Sequence, residues 1–204
     1  IKILKENSYV KFEESLEIAI NLRIDTNKTE QNIRGTINLP KGTGKNIKVA
    51  VMAKGEKAKE SKEAGADIVG DDDLVNSINA GKIDFDVLIA TPDMMPTIGK
   101  VAKILGPKGL MPNPKSGTVT MDVVKAVKDL KAGQVELRVE SNGIVHVSCG
   151  KVSFQKEQLV ENIAKIHDTI MKARPSSVKG QYLEKVVISS TMGPSIIIDH
   201  LAIG

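Results

Sequence analysis

Three histidines, one cysteine and a run of three aspartates are the side chains of this 204-residue chain most suited to chemistry. Cys149 and His146 offer a thiol nucleophile and a base. Three residues apart on a strand, however, their side chains point to opposite faces. His146, His167 and His200 fall in separate stretches, and none has a second ligand at i+4, the spacing that sets two imidazoles on one helical face over zinc. A single cysteine excludes an internal disulfide and any zinc site built on several thiolates, and it favours a reducing compartment. Asp71-Asp72-Asp73 presents carboxylates to a hard cation, yet at the head of a helix such a run simply suits the positive end. Gly42-Thr43-Gly44 fails as a dinucleotide loop, because Ile47 stands where the third glycine belongs and the glycines precede a strand. Gly44-Lys45 runs into Asn46 rather than Ser or Thr, so the phosphate-loop motif fails too. These residues do not commit the chain to catalysis, and no metal or cofactor is expected.

Two further segments stand out. Ile104 to Gly117 carries three prolines and three glycines in fourteen residues, which predicts a rigid loop with exposed backbone N–H groups and two lysines, Lys108 and Lys115. Ser189-Ser190-Thr191-Met192-Gly193-Pro194 sets hydroxyls beside a glycine at a strand end, where backbone can approach riboses and phosphates closely. On composition alone each also reads as an ordinary connector. Charge adds a mild lean toward nucleic acid: the net is +4, spread as seven basic against six acidic residues in 1–41, fourteen against twelve in 42–133 and eight against seven in 134–204. Aromatic residues are only 2% of the chain, too few for a base-stacking platform. An RNA partner is therefore expected to be folded and read through backbone, 2′-hydroxyl and shape.

The elements that must position these segments follow two grammars. Leu16, Ile18, Ile20, Leu22 and Ile24 alternate with polar residues, which predicts a half-buried strand over Leu16–Asp25, and Ile33–Leu39 repeats the pattern. From Gly42 the grammar changes: the continuous apolar run Ile47–Ala53 predicts a strand covered on both faces. Charged helices at Glu56–Ala64 and Asp71–Ala80 then alternate with strands at Asp67–Gly70 and Asp86–Ala90. Met94, Ile98, Val101 and Leu105 keep helical spacing, as do Val123, Val127 and Leu130. After Gly133 strict alternation returns, with a hairpin turn at Asn142-Gly143 and strands at about Leu183–Met192 and Ser195–Asp199. One helix there has Leu159, Ile163, Ile166 and Ile170 on its buried stripe, and His167 is expected on its surface. The reading is an α+β domain made of residues 1–41 and 134–204, an antiparallel sheet with a helix, into which a doubly wound α/β domain of residues 42–133 is inserted. The two glycine-containing crossings are expected to be neighbours at a hinge. Apolar runs are too short to span a bilayer, so no membrane is expected; no secretory leader is expected, and the opening at Ile1 suggests a trimmed start.

Gly106-Pro107-Lys108-Gly109-Leu110-Met111-Pro112-Asn113-Pro114-Lys115 resembles the signature of the ribosomal protein L one family in its bacterial form. Val10 to Ser15, Gln31 to Gly35, Ala53 to Glu56, Ala64 to Asp67, Ala90 to Asp93 and Thr191 to Pro194 fall where that family has them, so the resemblance spans essentially the whole chain. It implies a discontinuous domain one that grips large-subunit rRNA in a mobile side stalk of the ribosome, contact with deacylated tRNA leaving the exit site, and repression of the own operon through an mRNA mimic. It implies a cytoplasmic location on the bacterial ribosome and leaves an organellar ribosome open. Carried over residue by residue, it implies RNA contact at Lys11, Phe12, Glu17, His146, Thr191, Met192 and Gly193, with Lys108 and Lys115 as a second contact. Ser141 and Asn21 depart from the family, which often has basic residues there, so one or two phosphate contacts are expected to be lost. The competing class is an enzyme that binds a phosphorylated ligand on the inserted domain at the Lys108 loop.

Overall fold

The computed structural model describes residues 1–199, without the side chains of Thr29, Asp72 and Lys115. Along the chain run α1 (Lys2–Glu6), β1 (Ser15–Leu22), β2 (Arg34–Asn38), β3 (Val49–Met52), α2 (Glu56–Glu63), β4 (Ile68–Gly70) and α3 (Asp72–Asn79). Next come β5 (Val87–Ala90), α4 (Met95–Gly99), α5 (Ala102–Leu105), α6 (Val123–Lys131), β6 (Gln134–Arg138) and β7 (Ile144–Lys151). The order closes with α7 (Lys156–Lys172), β8 (Leu183–Ser190) and β9 (Ser195–Ile198). They form two compact units, Ile1–Lys45 with the chain from Gly133 onward, and Asn46–Ala132. The class is α+β combined with α/β, as the two grammars require.

In the first unit a four-stranded antiparallel sheet has the order β7-β1-β8-β9, and β2 pairs with β6 in a second ribbon. The alternating apolar residues of β1 (Leu16, Ile18, Ile20 and Leu22) all face one core. Val145, Val147, Val186 and Ile188 join them from the neighbouring strands, and the α7 stripe Leu159, Ile163, Ile166 and Ile170 covers them. The other sheet face carries no helix among the described elements. Its polar side chains are what alternation leaves when only one face is buried. His167 departs from expectation: its side chain is only 13% exposed, with Nδ1 3.9 Å from Asp168 Oδ1. It follows Ile166 directly on α7, beside the apolar stripe.

The first core contains one polar side chain that holds backbone together. Asn162 is fully buried on α7, in register with the apolar stripe. Its Nδ2 donates to the carbonyls of Cys149 (2.8 Å) and Gly42 (3.0 Å), and its Oδ1 accepts from Lys41 N (3.2 Å). Cys149 lies at a β-bulge opposite Leu16/Glu17, where the ladder leaves a residue unpaired; Asn162 takes its carbonyl. The glycine-containing crossings do run side by side. Leu39 N donates to Gly133 O, and a Cβ on Gly133 (φ 105°) would lie 2.4 Å from Gly42 Cα, so only glycine fits. At the β6–β7 hairpin, Gly143 N donates to Glu140 O and Gly143 alone has positive φ, which makes a three-residue loop rather than a two-residue Asn-Gly turn.

In the second unit three parallel strands have the order β4-β3-β5, and all four residues of β3 are buried. Val49 and Val51 face α6, whose Val123, Val127 and Leu130 pack on that side. Ala50 and Met52 face the opposite cluster with Leu74, Ile78, Met94, Ile98 and Leu105, so helices cover both faces. The helical spacing from Met94 to Leu105 is real as burial but not as one helix. Pro96 starts α4 afresh, and i→i+3 bonds from Lys100 and Val101 end it before α5.

Candidate nucleic-acid interface

The uncovered face of the four-stranded sheet gathers residues from both chain ends. One row crosses it as Ser148, Glu17, Ser189 and Ser195, on β7, β1, β8 and β9. The next row is His146, Ala19, Val187 and Ile197, and a third sets Ile144, Asn21 and Lys185 abreast. Glu17, His146, Lys185 and Ile197 are exposed. Hydroxyls, one carboxylate, one imidazole and one amine thus share this face with the apolar Ala19, Ile144, Val187 and Ile197. Such a surface can donate to phosphates and accept from 2′-hydroxyls.

At the Ser15 end of β1 this face is bordered by two segments nearly 180 residues apart in sequence, joined by Glu14. Glu14 is only 2% exposed. Its carboxylate accepts from Ser8 Oγ (2.5 Å), Met192 N (2.8 Å) and Ser190 Oγ (3.1 Å). Those hydrogen bonds, Ser8 first and the Met192 amide next, hold its pKa below the ordinary value against the opposing effect of burial. The segment carrying Lys11 and Phe12 is thereby tied to the one carrying Thr191, Met192 and Gly193. Phe12 (55% exposed) and Met192 (56%) both face solvent instead of the core, and Lys11 is exposed. Tyr9 is exposed as well, and its hydroxyl donates to Met192 O at 3.2 Å.

Thr191 and Gly193 have local work. Thr191 Oγ1 accepts from Ser15 N (3.1 Å) and donates to Ser15 O (3.4 Å), which extends the β1–β8 pairing by one side chain and occupies much of the hydroxyl. A Cβ at Gly193 would lie 2.2 Å from Ser190 Oγ, so any larger residue would displace a hydroxyl that Glu14 holds. Of the expected contacts, Lys11, Phe12, Thr191, Met192 and Gly193 share this border, while Glu17 and His146 lie on the open face. Cys149 and His146 part company as expected, the thiol fully buried and the imidazole exposed. Burial, and to a lesser degree the Glu17 charge, push the Cys149 pKa up to about 12, so the thiol is inert.

The glycine- and proline-rich loop on the second unit differs from expectation. Its N–H groups are mostly spent on itself: Gly109 N donates to Gly106 O, Leu110 N to Leu105 O, Ser116 N to Asn113 O, Gly117 N to Pro114 O, and Asn113 N to Thr118 Oγ1. Pro107, Pro112 and Pro114 have none to give. The loop therefore turns most of its amides inward and offers fewer of them to a phosphate than its composition implies. Lys108 is exposed on this unit, and the Lys115 side chain lies outside the described ones.

Residues 4–194 match the family model described as the ribosomal protein L1p/L10e family. The chain belongs to that family. It is 57% identical over 199 residues to the large ribosomal subunit protein uL1 of Macrococcus caseolyticus (strain JCSC5402), covering 98% of this chain and 86% of that protein. It is 55% identical, with the same coverage, to the large ribosomal subunit protein uL1 of Limosilactobacillus reuteri subsp. reuteri (strain JCM 1112). Membership of a ribosomal protein family supports a structural role for the chain. Glu14, Tyr9 and Lys185 join the site without having been singled out in the sequence. The signal for Glu14 was faint: a carboxylate beside the start of a buried strand. Tyr9 was the more visible, one of five aromatic residues in the chain and three positions from Phe12.

Proposed function

We propose that the chain is a structural constituent of the large ribosomal subunit and that its first unit grips large-subunit rRNA at the mobile side stalk. In the same reading it assists release of deacylated tRNA from the exit site, and it represses its own operon by binding an mRNA that mimics the rRNA site. It works in the cytoplasm, on the ribosome. The observation that carries the reading is the uncovered sheet face of Glu17, Ser148, Ser189 and His146, bordered by the Glu14-tied segments with Phe12 and Met192. A polar sheet face with few aromatics suits structured RNA held through ribose and phosphate, with Phe12 and Met192 as apolar contacts at one end.

The test is a filter-binding titration against a stalk-rRNA fragment and a scrambled duplex at two salt concentrations, with Phe12→Ala and Glu17→Ala beside the unmodified chain. Tight binding to the fragment alone, surviving the higher salt and weakened roughly tenfold or more in either variant, is expected, a loss on the order of 1–3 kcal/mol. Equal, salt-labile binding to both RNAs would leave only diffuse electrostatics and overturn the assignment of this face.

A further inference from the structure

The open face does not end at β7. Arg34 pairs with Arg138 across β2 and β6, and Val139 pairs with Val145 across the hairpin, so the same register brings Arg138 beside His146. His146 in turn lies across from Ala19 on β1. Leu137, Val139 and Val145 point to the shared core, and Arg34, Arg138 and His146 point outward. Around the Val139–Val145 bridge lies a cleft of about 550 Å³ lined by Glu136, Arg138, Glu140, Ser141 and His146. A second cleft of about 430 Å³ shares Arg138, Glu140 and Ser141, and adds Arg34 with Thr26 and Asn32.

Arg138 is the cation of these clefts that is left over. Arg34 is committed to Glu136, with Nε and Nη2 at 2.9 and 2.8 Å from Oε1. Glu140 has His146 Nε2 at 4.0 Å. Arg138 has no hydrogen bond or ion pair among the described residues, and it stands directly opposite Arg34 in the ladder, where like charges repel. Glu136 already pairs the Arg34 charge, so an anion between the clefts would be drawn to Arg138, whose guanidinium donors have no partner among the described residues.

We propose that Arg138 and Glu140 form a nucleotide subsite of the RNA surface, with the Arg138 guanidinium on a backbone phosphate and the Glu140 carboxylate accepting from a ribose 2′-hydroxyl. The proposal rests on the RNA-binding reading above and extends it past His146 onto the β6–β7 hairpin. The carboxylates are the reason for a nucleotide rather than bare phosphate: they would repel a second phosphate but accept from a 2′-hydroxyl, which DNA lacks.

The full chain, titrated with the stalk-rRNA fragment over a range of salt, tests this. Arg138→Ala should weaken binding about tenfold to a hundredfold and lower the slope of log affinity against log salt by about 0.7–0.9, the signature of one lost phosphate contact. Arg138→Lys should keep the slope while losing part of the affinity. Glu140→Ala should narrow the preference for the RNA fragment over DNA of the same sequence. Unchanged affinity and slope in Arg138→Ala, with Phe12→Ala still weakened, would overturn the subsite and leave the RNA face standing. An unmodified chain that does not prefer the fragment would overturn both.

Discussion

Asn162 is the buried polar residue whose loss the first unit should feel strongly. Replacing it with alanine removes two donated and one accepted hydrogen bond from a fully buried position. The three backbone partners do not suffer equally. Lys41 and Gly42 lie near the surface, where water can replace the amide, so each costs about 0.5–1.5 kcal/mol. The Cys149 carbonyl is buried at the bulge and would be left unsatisfied, at about 1–3 kcal/mol. Together these give a destabilisation of about 4 kcal/mol, roughly 15 °C in Tm for a unit of this size. The assay follows from the same structure. Cys149 is the only thiol and is buried in the first unit, so pulse-labelling it along a urea titration reports the opening of that unit alone. The Asn162→Ala midpoint should fall by roughly 1–2 M urea. Asn162→Asp keeps the acceptor for Lys41 N but faces two carbonyls with a charge, and should do no better. A loss below about 1 kcal/mol in alanine, or wild-type stability in aspartate, would refute the donor role assigned to Asn162.

Two further outcomes are expected, one at each end of the pH scale. Because the Glu14 pKa is lowered in the fold, its contribution is present above the ordinary value of 4.5 and is lost as pH falls through the lower folded value. Hydrogen exchange should therefore show the Met192 amide protected at neutral pH, several-fold less protected in acid or in Glu14→Ala, and largely restored in Glu14→Gln; a Met192 amide that exchanges freely at neutral pH would contradict this. At the alkaline end, burial raises Cys149 from 9.0 and Tyr182 from 10.0, each to about 12. The unfolded chain releases these protons first, so stability should decline from about pH 9 toward pH 12, with Cys149 alone accounting for up to about 4 kcal/mol. Flat stability across that range, measured by the same urea titration followed by circular dichroism, would show that these two groups ionise in place.

Much of the fold was legible because burial writes itself into periodicity. Leu16 to Leu22 alternate because one sheet face is core, and Val49 to Met52 run continuously because both faces are. What periodicity does not encode is which strands pair. Nothing local in Glu17 announces that Ser148 and Ser189 will flank it, since that register is set by contacts more than a hundred residues away. Polar residues with structural duties were the second blind spot. Asn162 occupies a helix position that belongs to the buried stripe, and a polar residue there is itself a sign of a hydrogen-bonding role. The loop around Lys108 failed in the other direction. Glycine and proline foretell a rigid turn, but whether its amides face out or in depends on Thr118 and the Leu105 carbonyl.

The position of β1 bears on how the protein comes into being. It is made more than a hundred residues ahead of both its neighbours, β7 and β8, which lie beyond residue 143. Asn46–Ala132 is contiguous, so that unit can complete itself while β1 still waits with two open edges. Ser15 and Glu14 cannot meet Thr191 and Met192 until nearly the last described residue has been made. The border of the surface proposed to hold RNA therefore comes into existence only once Met192 has been made, so a copy terminated before that point lacks the tie between its two segments.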